Sequence, residues 1–254
     1  MITEIVSKSN KTYKYLKSLL IKKCRAAEGV FTVEGEKSVH DALAAGCVKS
    51  VAASESFYQS KSFDYGDCDV FVVSDALFPQ LCDTKTPQGI LAVCGVKEGR
   101  PEDIAHGRYV YCDSVSDPGN IGTIIRTADA AGFDGVLLSE GCADLYSPKT
   151  VRASMGSFFH VRLMSGLNVS QLKALADNEF KIVCGVLHHD SVDYREADLS
   201  GNLIIVIGNE ANGVSEEAFE LCGERITIPM MGGAESLNAA VAAALLMYEA
   251  LRRE

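Results

Sequence analysis

The sequence predicts an α/β protein in two parts, a small domain over residues 1–100 and a larger one over 106–254 built on a parallel sheet. Three observations carry this expectation. In the second part apolar runs alternate with helical segments: strands at 109–115, 134–139, 180–187, 202–208 and 225–230, helices at 121–131, 170–178, 215–222 and 237–253. Those strands are apolar almost throughout, as strands covered by helices on both faces have to be. Between the parts lies "KEGRPEDIAHG" (Lys97–Gly107), a charged stretch carrying proline and glycine that suits a linker.

The first part opens with "KTYKYLKSLLIKKCRAA", read as one helix because Tyr15, Leu16, Leu19 and Leu20 fall near helical spacing. "GVFTVEG" follows as a strand and "EKSVHDALAAG" as a helix closed by glycine. "VKSVAAS" and "DVFVVS" read as strands, "DALFPQLCD" as a short helix and "QGILAVCGV" as a last strand. The whole chain has a net charge of −10, which argues against indiscriminate coating of nucleic acid. The charge is uneven, however. Residues 1–25 hold seven Lys or Arg against Glu4 alone, whereas 106–254 hold 11 basic and 20 acidic residues. Two readings of the basic start stay open: a solvated helix face, or a phosphate-reading arm carrying Lys14, Lys17, Lys22, Lys23 and Arg25.

No apolar run approaches the ~20 residues of a membrane span. The N-terminus lacks the apolar core of a signal peptide, so the cytoplasm is the expected location. None of the nine cysteines forms a C-x-x-C pair and most stand in apolar runs, which predicts buried free thiols. His188 and His189 precede Asp190, but no second cluster stands at ligand spacing. A loop or strand end is therefore expected there, and no metal.

Three loops carry the chemistry. After the strand at 109–115, a dinucleotide site would show G-x-G-x-x-G, but this turn reads S-D-P-G-N-I-G. In the helix that follows, Asn120 is placed to cap the start and Gly132 to end it. Ile121, Ile124, Ile125 and Ala128 form one stripe, with Arg126 roughly opposite. Taken alone, Arg126 reads more readily as a solvated arginine than as a functional one. The second loop, G-N-E-A-N-G (Gly208–Gly213), has two glycines that permit close backbone approach, and a glutamate. The third, "IPMMGGAESLN" (Ile228–Asn238), opens a long helix whose first turns are nearly all alanine.

Together, D-P-x-N-x-G-x-x-x-R-T at 117–127, I-G-N-E-x-x-G at 207–213 and I-P-M-x-G-x-x-E-S-L-N at 228–238 resemble the three motifs of the SpoU/TrmH family of RNA ribose methyltransferases, in the SPOUT superfamily. The likeness covers about 106–254, and "SPKTVRASMGSFFHV" (Ser147–Val161) is similar to a family segment between the first two motifs. "FTVEGEKSVHDALAAG" and the basic helix before it resemble the opening of the family's accessory substrate-binding domain. The resemblance implies a small N-terminal α/β RNA-binding domain, then a SPOUT α/β domain with a parallel sheet and a C-terminal trefoil knot. It implies that S-adenosylmethionine lies against Ile207, Gly208, Ile228, Met230, Leu237 and Asn238, while the D-P-G-N-I-G loop faces the RNA. It also implies catalysis by Asn120, Arg126, Glu210, Ser236 and Asn238, with Glu210, Ser236 and Asn238 bonding Arg126 or the ribose.

Further implications are methyl transfer to a ribose 2′-hydroxyl, most naturally in ribosomal RNA given the N-terminal domain. The implied assembly is a homodimer in which Arg126 reaches the partner's cofactor. Two other readings are weaker. A non-catalytic RNA-binding protein would not need Asn120, Arg126, Glu210, Ser236 and Asn238 together. A nicotinamide oxidoreductase would need the missing glycine fingerprint.

Overall fold

The computed structural model describes residues 1–97 and 99–252. The linker residue Glu98 and the expected helix end at Arg253 lie outside them, as does Glu254. The chain forms two compact units. One takes Met1–Lys97 together with Tyr146–Phe159, and the other holds the remaining described residues. The segment containing "SPKTVRASMGSFF", read from sequence as part of a continuous 106–254 domain, thus belongs to the first unit.

In the first unit the elements are β1 (Ile2–Ile5), α1 (Lys11–Ser18), α2 (Lys22–Glu28), β2 (Val30–Glu34), α3 (Glu36–Ala44), β3 (Val48–Ser54), α4 (Glu55–Ser60), β4 (Asp69–Val73) and β5 (Ile90–Gly95). The sheet runs β1-β4-β3-β5-β2. β1, β4 and β3 are parallel, and β5 is antiparallel to both β3 and β2. β1 escaped the sequence reading because its polar residues Thr3 and Glu4 hide an edge strand whose one buried residue is Ile5. The expected single helix over 11–27 is two. Asn10 caps α1 by accepting from the Thr12 and Tyr13 amides. The chain then breaks at Ile21, whose extended backbone (φ −96°, ψ 124°) starts α2 afresh.

Arg25 reaches back across the break. It is only 4% exposed, and its guanidinium donates to the Leu19 carbonyl at 2.8 Å, one of the acceptors that the interrupted helix frees. Arg25 is therefore a buried strut and does not stand on an RNA-facing arm. Lys14, Lys17, Lys22 and Lys23 are exposed. Tyr13, Leu16 and Leu19 turn inward onto a core with Ile5, Phe78 and Leu81. The inserted segment adds a short helix at Pro148–Ala153 to this unit and contributes Tyr146, Phe158 and Phe159, whose rings lie 5.2 to 6.4 Å from Phe31.

The full order through the rest of the chain is β6 (Arg108–Cys112), α5 (Pro118–Ala130), β7 (Gly135–Ser139), α6 (Pro148–Ala153), β8 (Arg162–Leu167), α7 (Val169–Asp177), β9 (Lys181–Gly185), β10 (Val192–Asp193), β11 (Leu203–Ile207), α8 (Glu216–Leu221), β12 (Glu224–Thr227) and α9 (Ala239–Arg252). Apart from α6, these make the second unit, a seven-stranded sheet in the order β10-β12-β9-β11-β6-β7-β8 with every pairing parallel. Leu203–Ile207 is buried at every position, as a central parallel strand should be. The sequence reading missed β8. It is an edge strand in which Arg162, Ser165 and Gly166 are exposed, so its apolar pattern is interrupted.

Helix starts moved for local reasons. α5 begins at Pro118, because Asp117 rather than Asn120 is its cap, its carboxylate accepting from the Asn120 amide at 2.9 Å. Gly132, at φ +66°, ends it as expected. The nine cysteines are free. Cys94, Cys112, Cys184 and Cys222 are buried and the other five half-buried.

Candidate active site

The loops at the carboxyl ends of β9, β11 and β12 enclose a cavity of about 590 Å³, within the ~300–1,000 Å³ usual for small-molecule sites. Its apolar walls come from Val186, Val214, Ile226, Ile228, Leu237 and Leu246. The G-N-E-A-N-G loop forms one side. Asn209 and Gly213 close it with paired backbone bonds of 2.8 and 2.9 Å, and a Cβ on Gly208 would come within 2.2 to 2.5 Å of the Gly213 and Val214 backbone. Only glycine fits there.

Of the residues expected against a cofactor, Ile207, Gly208, Ile228, Met230 and Leu237 line the cavity. Asn238 does not; its side-chain oxygen Oδ1 caps α9 by accepting from the Ala240 and Val241 amides at 2.9 and 3.3 Å. Its amide instead donates to Asn120 Oδ1 at 3.0 Å, and Asn120 Nδ2 donates to Glu210 Oε1 at 2.6 Å. One chain of side-chain bonds, Asn238 to Asn120 to Glu210, therefore ties the three loops together. Glu210 Oε2 also accepts from the Ser116 amide and hydroxyl at 3.5 and 3.4 Å. Partial burial by itself would raise the Glu210 carboxyl. The bonds from Asn120, its own backbone and Ser116 outweigh that and hold it below the ordinary carboxylate value.

The D-P-G-N-I-G loop lines none of this cavity. Arg126 is exposed on α5, and among the described residues neither it nor Ser236 has a hydrogen-bond or ion-pair partner. The expected bonds from Glu210 and Asn238 to Arg126 are absent among the described residues. Both side chains are committed to Asn120 instead.

Sequence reasoning missed the wall made by Gly185, Val186, Leu187 and His188, with Phe219 and Leu246. A general rule could have found the first four, because ligands of open parallel sheets bind beyond the strands' carboxyl ends; Gly185 ends β9 and the other three follow it. Ligand atoms of His188, His189 and Asp190 lie within 4.8 Å of one another. Asp190, however, is already shared between His188 and the guanidinium of Arg225, 2.7 Å away.

The residues suit S-adenosylmethionine: apolar faces for an adenine ring, and carboxylates Glu210 and Glu235 for a cationic ligand. Fold and site thus define a class of α/β proteins with a small-molecule cavity beyond the carboxyl ends of a parallel sheet. Comparison with known proteins narrows the class. The SpoU rRNA Methylase family matches residues 107–248, and an MRM3-like substrate binding domain matches 10–92. The chain is 37% identical over 247 residues to the Bacillus subtilis 23S rRNA (guanosine(2553)-2′-O)-methyltransferase RlmP, covering 96% of this chain and 98% of that one. An AdoMet-bound rRNA methyltransferase from Sinorhizobium meliloti superposes with a TM-score of 0.89 at 32% identity, covering 99% and 98% of the two chains. The SpoU methyltransferase AviRb from Streptomyces viridochromogenes, in complex with AdoMet, gives 0.86 at 28% identity, covering 96% and 98%. The chain belongs to the SpoU rRNA methylase family. It is an S-adenosylmethionine-dependent RNA 2′-O-methyltransferase.

Proposed function

We propose that the protein methylates the ribose of a guanosine in 23S ribosomal RNA, in the cytoplasm, as a homodimer with a C-terminal trefoil knot. The observation that carries the reading is the Asn238–Asn120–Glu210 chain, which binds the rim of the cavity to the D-P-G-N-I-G loop. The choice of RNA and nucleoside is supported by the likeness to the Bacillus enzyme along nearly the whole of both chains.

Bound S-adenosylmethionine supplies an electrophilic methyl group on a sulfonium. The walls at Ile207, Gly208, Ile228, Met230 and Leu237 hold and orient it. A ribose hydroxyl is a poor nucleophile, so the residues around it act chiefly by positioning. Asn120, locked between Glu210 and Asn238, fixes the loop that presents the ribose. Ser236, at the cavity edge, has its hydroxyl free among the described residues for that ribose. Arg126 stays protonated at any working pH and so does not remove the hydroxyl proton. It steadies a phosphate or the charge developing on the ribose oxygen, and it does so at the partner's cofactor. Lys14, Lys17, Lys22 and Lys23 contact phosphates through the first unit.

The dimer is supported by α9, which exposes Val241, Leu245 and Tyr248 at 38 to 50% along one stripe. The test is a map of ribose methylation in total RNA from cells with and without the protein. Loss of one 2′-O-methylguanosine in 23S rRNA is expected; an unchanged 23S map would overturn the assignment.

A further inference from the structure

His188 is the one basic side chain lining the cavity among the described residues, and it belongs to none of the three motif loops. For an exposed histidine it is unusually well held. Nδ1 is bonded to Asp190 Oδ1. The other oxygen of Asp190 accepts from Arg225 at 2.7 Å. The Arg225 guanidinium lies 4.2 Å from the Phe219 ring centroid, and Phe219 in turn meets the His188 ring edge-on at 5.4 Å. The circuit His188–Asp190–Arg225–Phe219 closes on itself and fixes the imidazole plane on the cavity wall.

The bond to Asp190 also sets the tautomer. A carboxylate only accepts, so Nδ1 carries the proton, and Nε2 of the neutral ring remains as an acceptor. The cofactor offers three kinds of donor. Its α-ammonium matches the carboxylates of Glu210 and Glu235 elsewhere on the wall. Its adenine amine matches backbone carbonyls along the apolar faces. Its ribose hydroxyls are left.

Resting on the cofactor reading above, we propose that His188 Nε2 accepts a hydrogen bond from a ribose hydroxyl of the cofactor. His188 is then a specificity-determining residue, and Asp190 and Arg225 are positioning residues that act through it. The site selects a ribonucleoside cofactor over a deoxyribonucleoside one, and motif matching alone would not detect this.

Calorimetry on the full-length protein tests it with S-adenosylhomocysteine and its 2′-deoxy and 3′-deoxy analogues. Wild type should lose about tenfold or more in affinity for one deoxy analogue. His188→Ala should lose a similar factor for S-adenosylhomocysteine but nothing further for that analogue, because the two changes remove the same bond. His188→Gln, which keeps an acceptor, should recover part of the loss. Asp190→Asn should show an intermediate loss at an unchanged thermal midpoint. Independent, multiplying losses from the variant and the analogue would overturn the assignment, as would a His188→Ala protein that binds every ligand like wild type. A wild type that binds none of the three would overturn the cofactor reading and the assignment with it.

Discussion

Asn120 commits both ends of one amide, its nitrogen to Glu210 and its oxygen to Asn238. Asn120→Asp would place a second carboxylate against Glu210 and should lower turnover by about 10²–10³, the loss expected when a preorganised site is misaligned. Cofactor affinity should change little, because Asn120 does not line the cavity. Asn120→Ala and Asn238→Ala should be non-additive in kcat, since they break the same chain; independent effects would show that the chain does not act as a unit. Glu210 adds a pH signature. Its folded value is depressed, so its bonds are intact above the ordinary carboxylate range and are lost as pH falls through that lowered value. The melting difference between wild type and Glu210→Gln should therefore vanish at the acid end. The three loops that carry Asn120, Glu210 and Asn238 stood out in the sequence, but the bonds among these side chains did not. Pairing of residues 90 and 118 positions apart depends on how β6, β11 and β12 bring their ends together, which no local pattern encodes.

Elements set harder limits than single side chains. Gly208 stands where β11 meets its loop, and any Cβ there meets backbone rather than a flexible side chain. Gly208→Ala should abolish binding of S-adenosylhomocysteine in calorimetry and destabilise the protein by about 1–3 kcal/mol. At the other end of the chain, the broken helix separates two kinds of basic residue that looked alike in sequence. Replacing Lys14, Lys17, Lys22 and Lys23 by Glu should flatten the salt dependence of RNA binding while melting stays unchanged. The slope should fall by about one unit or slightly less for each phosphate that is no longer neutralised. Arg25→Ala should do the reverse and lower stability by about 1–3 kcal/mol through the stranded Leu19 carbonyl. The alternation in the second half showed its central strands clearly, because β6, β9 and β11 are apolar on both faces. β1 and β8 were hidden because an edge strand needs so little apolar sequence.

At the scale of the molecule, the strongest test concerns where Arg126 works. Arg126→Ala should remove about 10²–10³ of the rate with cofactor binding intact, and Arg126→Lys should restore little, since a point charge does not reproduce the planar fork. If the residue serves the partner's cofactor, mixing Arg126→Ala chains with Gly208→Trp chains concentrates both defects in one site of each heterodimer. The other site is whole, and about half of wild-type activity should return. A dead mixture of verified heterodimers would place Arg126 in its own chain's site. In the sequence, only an apolar stripe on α9 bears on whether two chains pair.

The fourteen residues from Tyr146 to Phe159 also govern the order in which the protein can be made. The first unit includes them, yet their synthesis ends 62 residues (159 − 97) after Lys97, where the unit's first segment stops. At ~5–20 residues per second, the N-terminal module waits roughly 3–12 s on the ribosome for the rings that flank Phe31. During that interval Phe31 lacks Tyr146, Phe158 and Phe159 as neighbours. The usual order, in which an N-terminal domain is finished before the next begins, is closed to this chain. Completing the first unit is therefore a late event, tied to synthesis of the second.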